Sequence, residues 1–444
     1  MSRRRVLRGA SGLAVMVAVL AVVLVLGCQT TGQTGTKNRP KVAALITEFT
    51  YRSHAHVILE NFLEKYYFNG ELTDPGVDVV SFYIDQNPEQ GDMAGRVARE
   101  YGIPIYPTIH DALCLGGDTL AVDGVLSIAE FGQYPRNEKG QIQYPRKRFF
   151  DEIVAVFEKS GRSVPVFNDK HLSYRWDWSK EMYDDSQRLG FPLMAGSSVP
   201  LAQRRPNIEI PNGAKIKECV AIHGGPLEIY DFHMMETMQS LIEFRAGGET
   251  GVARVEFLEG DAVWEAADQG RWSFELAEAA MLAEIGEPRD LRNFVEPLNG
   301  VKRTAHATIM TFRDGLQATV IRIGSNDFRW NFACYMEGQE KPLATSYYVG
   351  PWRNRNLFKA LSRAIQAHVI NASPPYPVER TLLVTGALAA MMDSRHEKRP
   401  IDTPYLDIAY PAIDFDSVRE FGSTWKIITE DMPEPKWIEP GGPR

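Results

Sequence analysis

Apolar and polar positions follow two different rhythms along this chain, and the change between them falls near residue 205. Before it, short apolar runs of the buried-strand type occur at Lys41–Thr47, Val77–Ile84, Val122–Ile128 and Val164–Phe167. Between them, apolar residues recur every three or four positions. Val57, Ile58, Phe62, Leu63 and Tyr66 mark one helical face, and Met93–Tyr101 a second, ended by Gly102 and Pro104. Arg148–Lys159 and Ser179–Leu189 give two more. Strands alternating with helices imply right-handed βαβ units around a parallel sheet buried on both faces, whose site lies at the carboxyl ends of the strands.

Beyond residue 205, helical patterns remain at 232–245, 274–285, 355–370 and 379–395. The intervening strand-like runs are Lys217–Ala221, Arg254–Leu258, His306–Phe312, Gln317–Ile323, Trp330–Met336 and Ala344–Val349. Several are joined by tight turns such as Arg313-Asp314-Gly315, which predicts a largely antiparallel sheet packed on helices. The fold class is therefore α/β: a doubly wound parallel sheet over residues 41–204, then an α+β domain over 205–410 and a tail over 411–444, rich in Pro and Gly from Glu430. The length of 444 residues suits two such units, since one core rarely grows past roughly 250–300 residues.

The chain carries a formal charge of −8, unevenly spread. Residues 1–28 hold Arg3, Arg4, Arg5 and Arg8 and no acid, which leaves 45 basic against 57 acidic side chains, or −12, in the remainder. Such a body is poorly suited to neutralising nucleic-acid phosphates. After the arginines comes the apolar run 13–26, and Val25-Leu26-Gly27-Cys28 resembles a lipobox. Residues 1–28 thus read as a signal peptide, with a lipid anchor at Cys28 and export to the cell envelope. Ser2-Arg3-Arg4-Arg5-Val6-Leu7-Arg8 is similar to the twin-arginine export signal, a route for folded proteins with a cofactor bound. Residues 29–40 read as a polar tether. Four cysteines are too few for a disulfide framework, no Cys-x-x-Cys or His-x-x-x-His spacing suggests a metal, and no Gly-x-Ser-x-Gly nucleophile signature is present.

Taken in order, several segments resemble the Gfo/Idh/MocA oxidoreductase family. Val166-Phe-Asn-Asp-Lys-His-Leu172, then a helix and Gly190-Phe-Pro-Leu-Met-Ala-Gly196, look like that family's Glu-Lys-Pro strand end and the strand closing its Rossmann half. Ala98–Tyr106 and Val122–Ile128 are similar to its third and fourth strand regions, and His233-Met-Met-Glu236 to its His-x-x-Asp. The resemblance covers roughly residues 41–410. It implies a Rossmann-like first half, NAD or NADP as cofactor, a small-molecule carbohydrate as substrate, and self-association through the face of the second sheet.

It also implies site residues. Lys170 would hold the substrate hydroxyl that loses its proton, although the family's proline is replaced by His171. His233 would be the general acid/base, with Asp231 an imperfect substitute for the family's acid. Glu130, after the fourth strand, faces the cleft for catalysis or cofactor contact, with Tyr134 nearby. Asp85, at the end of the second strand, would bind the adenosine ribose hydroxyls, favouring NAD. The main departure is the dinucleotide loop, where Thr47-Glu-Phe-Thr-Tyr-Arg-Ser-His54 contains no glycine. Phe49 and Tyr51 would crowd a pyrophosphate, leaving Arg52 as a bidentate clamp and the helix start after Ser53 as its remaining cradle. The basic run Arg136, Lys139, Arg146, Lys147 and Arg148 offers a second anion contact. Two other readings stay open: a cofactor-free sugar-binding or scaffold lipoprotein, and an acid–base enzyme using Glu130, Lys170 and His233.

Overall fold

The computed structural model describes residues 39–435 except 298, together with 438. The signal peptide, Cys28 and nearly all of the tether expected from the sequence lie outside the described residues. In the first half the elements run β1 (Lys41–Ile46), α1 (His54–Leu63), β2 (Tyr66–Phe68), β3 (Glu71–Thr73), β4 (Asp78–Ile84), α2 (Ala94–Tyr101), β5 (Ile105–Tyr106) and α3 (Ile109–Cys114). They continue with β6 (Gly124–Ile128), α4 (Arg146–Ser160), β7 (Val166–Asp169), α5 (Trp176–Leu189) and β8 (Leu193–Gly196). Six strands form one all-parallel sheet in the order β5-β4-β1-β6-β7-β8, while β2 and β3 pair as a separate hairpin. β1 sits inside this sheet with every residue after Lys41 buried, as its unbroken apolar run requires. Tyr66, expected on the first helix, instead opens β2.

The second half contains β9 (Gln203–Arg205), β10 (Ile216–His223), α6 (Ile229–Ile242), β11 (Val252–Glu259), α7 (Asp261–Asp268), α8 (Phe274–Ile285) and β12 (His306–Phe312). It ends with β13 (Gln317–Arg322), β14 (Trp330–Met336), β15 (Leu343–Tyr348), α9 (Asn354–Asn371), α10 (Val378–Glu397) and β16 (Ile401–Asp402). Its eight-stranded sheet has the order β16-β11-β12-β13-β10-β14-β15-β9 and is antiparallel except for the β10–β13 pair.

The two halves are joined by helices that cross between them. α9 lies along α1, where Asn61 Nδ2 donates to Ser362 Oγ at 3.3 Å and Gln366 Nε2 donates to the Asn61 carbonyl at 2.8 Å. α10 packs on α5, α6, β8 and β11. The expected face-to-face association of the second sheet meets an obstacle. Alternate residues of β10 point to opposite faces, and Val220 and Ile222 are buried under α7 and α8 with Val263, Trp272 and Leu276. The chain covers that face with its own helices.

Candidate functional site

The carboxyl ends of β6, β7 and β8 meet the start of α6 and the start of α9 around a cavity of about 260 Å³. It is lined by His54, Glu130, Phe131, Tyr144, Lys170, Tyr230, His233, Trp330 and Phe358 among others. Lys170 follows β7 with φ +64, a left-handed conformation that side-chain-bearing residues adopt rarely. Phe131 (+74), Glu228 (+69), Arg52 (+64) and Arg353 (+56) share it, and each lines the cavity or is next or second-next to a residue that does. Such conformations gather at functional sites because the surrounding packing must hold them in place.

Lys170 Nζ donates to Glu130 Oε1 at 2.8 Å, and the Arg146 guanidinium grips Glu130 Oε2. All three side chains are almost wholly buried. Burial works to raise the Glu130 carboxyl, but Lys170 and then Arg146 hold it below its ordinary value. Arg146 Nη1 also meets His171 Nε2 at 3.1 Å, so His171, in place of the family's proline, anchors the pair from behind. Across the cavity His233 Nδ1 lies 2.6 Å from Ser197 Oγ, just after β8. Burial first, and the nearby Lys170 next, push the His233 imidazole well below its usual range, so it is neutral. Tyr230 and Trp330 stack at 4.8 Å and 10° to form a flat aromatic wall beside it. The turn beneath requires Gly196, at φ +133, because a Cβ there would fall 2.6 Å from Glu236 Oε1.

Lys170, Glu130 and His233 therefore share one cavity, but Asp231 and Asp85, also expected at the site, are placed elsewhere. Asp231 does not support His233: it faces the opposite side of α6, where Oδ1 contacts His223 Nε2 at 3.2 Å and His306 Nε2 at 2.9 Å. Its Oδ2 accepts the Glu228 N–H at 2.9 Å, which completes a capping box. Asp85 presents no free carboxylate. Oδ1 accepts from the Tyr83 hydroxyl at 2.7 Å and from Arg148, and Oδ2 accepts from the Tyr134 hydroxyl at 2.6 Å. Tyr134 thus turns to Asp85 rather than the cavity, and the argument for NAD from a free acid at this position is lost. Arg52 donates to Asn354 Oδ1 at 2.8 Å and pairs with Glu434 of the tail.

Ser53 caps α1, its Oγ accepting the His56 N–H at 3.3 Å. Phe49, expected to crowd a ligand, turns inward against Phe82 and is fully buried. Arg146 leaves the expected basic loop and enters the site, while Lys139 and Lys147 pair with Asp393 and Asp151.

The structure adds His54, which the sequence marks only as the end of the glycine-free loop. Its Nδ1 lies 2.6 Å from Asp169 Oδ2, and its ring packs edge-on to Phe358 at 4.6 Å. The signal was the position after Ser53: the first residue of a helix behind a parallel strand projects at the carboxyl edge of the sheet.

No protein-family model matches the sequence, and no curated protein matches it. Solved structures do share its fold. A myo-inositol 2-dehydrogenase from Lactobacillus plantarum is 12% identical, with a TM-score of 0.50, over 82% of this chain and 99% of that one. GenD2 from gentamicin A biosynthesis, solved in complex with NAD, is 12% identical, with a TM-score of 0.51, over 82% and 96%. The scyllo-inositol dehydrogenase from Lactobacillus casei with bound NAD(H) and scyllo-inositol is 10% identical, with a TM-score of 0.50, over 82% and 98%. The fold is thus the one implied by the Gfo/Idh/MocA resemblance.

Whether a dinucleotide fits can be judged on the β1–α1 loop. Glu434 takes a hydrogen bond from the Tyr51 hydroxyl at 2.9 Å, pairs with Arg52, and lies 3.7 Å from Arg355 Nη1. The loop's Arg52 guanidinium and Tyr51 hydroxyl thus hold a carboxylate without glycine, with Arg355 of α9, itself paired with Glu60, close by. The residues suit a phosphate group once the segment around Glu434 moves aside.

Proposed function

We propose that this protein is an NAD(P)-dependent oxidoreductase, or a redox-neutral enzyme using a bound nucleotide, acting on a sugar or sugar-like alcohol. The observation that carries the reading is the buried Lys170–Glu130 pair facing a neutral His233 across a cavity of about 260 Å³. The bound nicotinamide would supply a two-electron hydride acceptor or donor. Arg52, with the start of α1, would hold its phosphates. Lys170 engages Glu130 with one of its three donors and offers the others to a substrate hydroxyl. Its positive charge stabilises the alkoxide that forms as the hydroxyl proton leaves, and the neutral His233 imidazole takes that proton. Ser197 fixes the imidazole, while Tyr230 and Trp330 give the flat apolar wall on which sugar rings pack. The N-terminal segment supports residence at the cell envelope through a lipid anchor at Cys28.

A second reading, a cofactor-free carbohydrate-binding lipoprotein, is favoured by one observation: Asp85 and Arg52 are both engaged by the chain itself. The test is to denature protein purified from its native export route and analyse the supernatant by mass spectrometry. NAD(H) or NADP(H) released near one equivalent per chain is expected. Empty protein with no rise in melting temperature on adding either nucleotide overturns the first reading, and saturable sugar binding by such protein supports the second.

A further inference from the structure

Behind the Tyr230–Trp330 wall, three buried side chains from different elements converge: His223 ends β10, Asp231 lies in the first turn of α6, and His306 begins β12. We infer that His223, Asp231 and His306 bind a divalent transition-metal ion that fastens α6 to the second sheet. The potential ligand atoms all lie within 4.8 Å of one another. The two nitrogen–oxygen separations, 3.2 and 2.9 Å, are near the roughly 3.0–3.4 Å expected when a nitrogen and an oxygen each stand about 2.1 Å from one ion. Two imidazoles and one carboxylate form a donor set suited to zinc, cobalt, iron or manganese.

The surroundings favour an ion over a bare hydrogen-bonded cluster. All three residues are at most 1% exposed. A carboxylate so buried needs a compensating positive charge, which a dication supplies. Its second oxygen is already oriented by the Glu228 N–H, the outer support that metal-bound carboxylates use. Rings of Phe257, 5.4 Å from His306, and Tyr230, 6.3 Å from His223, wall the group off. The neighbouring cation, Arg322, lies between the two histidines in the sheet row but donates through Nε and Nη2 to the Thr304 carbonyl at 3.1 and 2.6 Å. Local spacing could not reveal such a site, because its ligands stand 8 and 75 positions from Asp231. Since α6 carries Tyr230 and His233, the ion would hold one wall of the cavity in place.

The test uses the whole purified protein. After chelation and dialysis, Zn(II), Co(II) or Mn(II) is added back and bound metal is measured by elemental mass spectrometry. One equivalent per chain is expected, with visible ligand-field absorption for Co(II) and a rise in melting temperature that does not need nucleotide or sugar. Asp231→Asn and His306→Gln, which remove direct ligands, should weaken uptake by at least the roughly 10- to 100-fold that losing an outer-shell partner costs. Wild-type protein that takes up none of the three ions overturns the inference, as does uptake undiminished in both variants. If neither variant folds, the wild-type Co(II) spectrum decides: absence of absorption overturns the site.

Discussion

The two ends of the parallel sheet's carboxyl edge handle their polar groups in opposite ways. Near β6, β7 and β8, Lys170 and His233 are buried yet aimed at open space, and the backbone around them is held in rare conformations. Near β1 and β4, the charged groups are satisfied within the chain: Asp85 by Tyr83, Tyr134 and Arg148, and Arg52 by Asn354 and Glu434. Unfilled hydrogen-bonding capacity around a cavity is what a ligand uses, whereas a saturated network only stabilises the fold. Under the proposed function, the substrate end is therefore ready to bind, and the nucleotide end must first give something up.

The largest effect that could break this contrast comes from Lys170. Lys170→Ala should lower turnover by about 10²- to 10⁴-fold, the range for removing a group that assists proton transfer. The fold should persist, because Glu130 keeps its pair with Arg146. Asp85→Asn, at the other end, should change turnover by less than about threefold, since that carboxylate faces no open site. Steady-state rates of both variants, with circular dichroism to confirm folding, check the pair. Equal losses at the two positions would erase the distinction.

A smaller effect concerns how the substrate end is supported. Glu236 is fully buried beneath Gly196 and accepts hydrogen bonds from the Ser197 N–H and the Thr381 hydroxyl. Burial raises its carboxyl from 4.5 to about 7. The protonated form is thus favoured in the folded state. Its contribution to stability is complete below about pH 4.5 and is lost as the pH rises through about 7. That loss is about 3 kcal/mol by pH 8, at 1.36 kcal/mol per unit. Glu236→Gln, which mimics the protonated acid, should remove this share of the pH dependence. Urea unfolding of both proteins at pH 5 and pH 8 measures it, and an identical pH response would show that the carboxyl is not shifted.

These contrasts were legible in the sequence to different depths. Lys170 and His233 could be found because each sits at the end of a strongly patterned element, where topology fixes the direction of approach. Strands such as His306–Phe312 and Trp330–Met336 were readable to the residue for the same reason. The partners of a polar group were not readable, because they come from far along the chain. The resemblance offers Asp231 as an imperfect substitute for the acid beside His233, yet helical geometry turns residues two apart to different faces, and it meets His306 instead. Asp85 looked like a ribose ligand until Tyr134 and Arg148 arrived from 49 and 63 positions away. The glycine-free loop gave no hint that Glu434 would lie on it.

That carboxylate gives the smallest and most direct test of the comparison. A nucleotide phosphate and Glu434 would compete for the same Arg52 guanidinium, so the apparent affinity is the intrinsic affinity multiplied by the fraction of molecules in which the tail has let go. Arg52 and Glu434 are each partly solvated, with side chains 30% and 24% exposed, which limits their pairing to about 1 kcal/mol. Glu434→Ala should then tighten NAD or NADP binding by roughly fivefold, with the gain shrinking as salt screens the pair. Arg52→Ala should abolish the gain, because it removes the shared partner. Isothermal titration at low and high salt distinguishes these cases. A Glu434→Ala protein that binds neither nucleotide more tightly would mean that the loop is closed by its own side chains and that the tail is incidental.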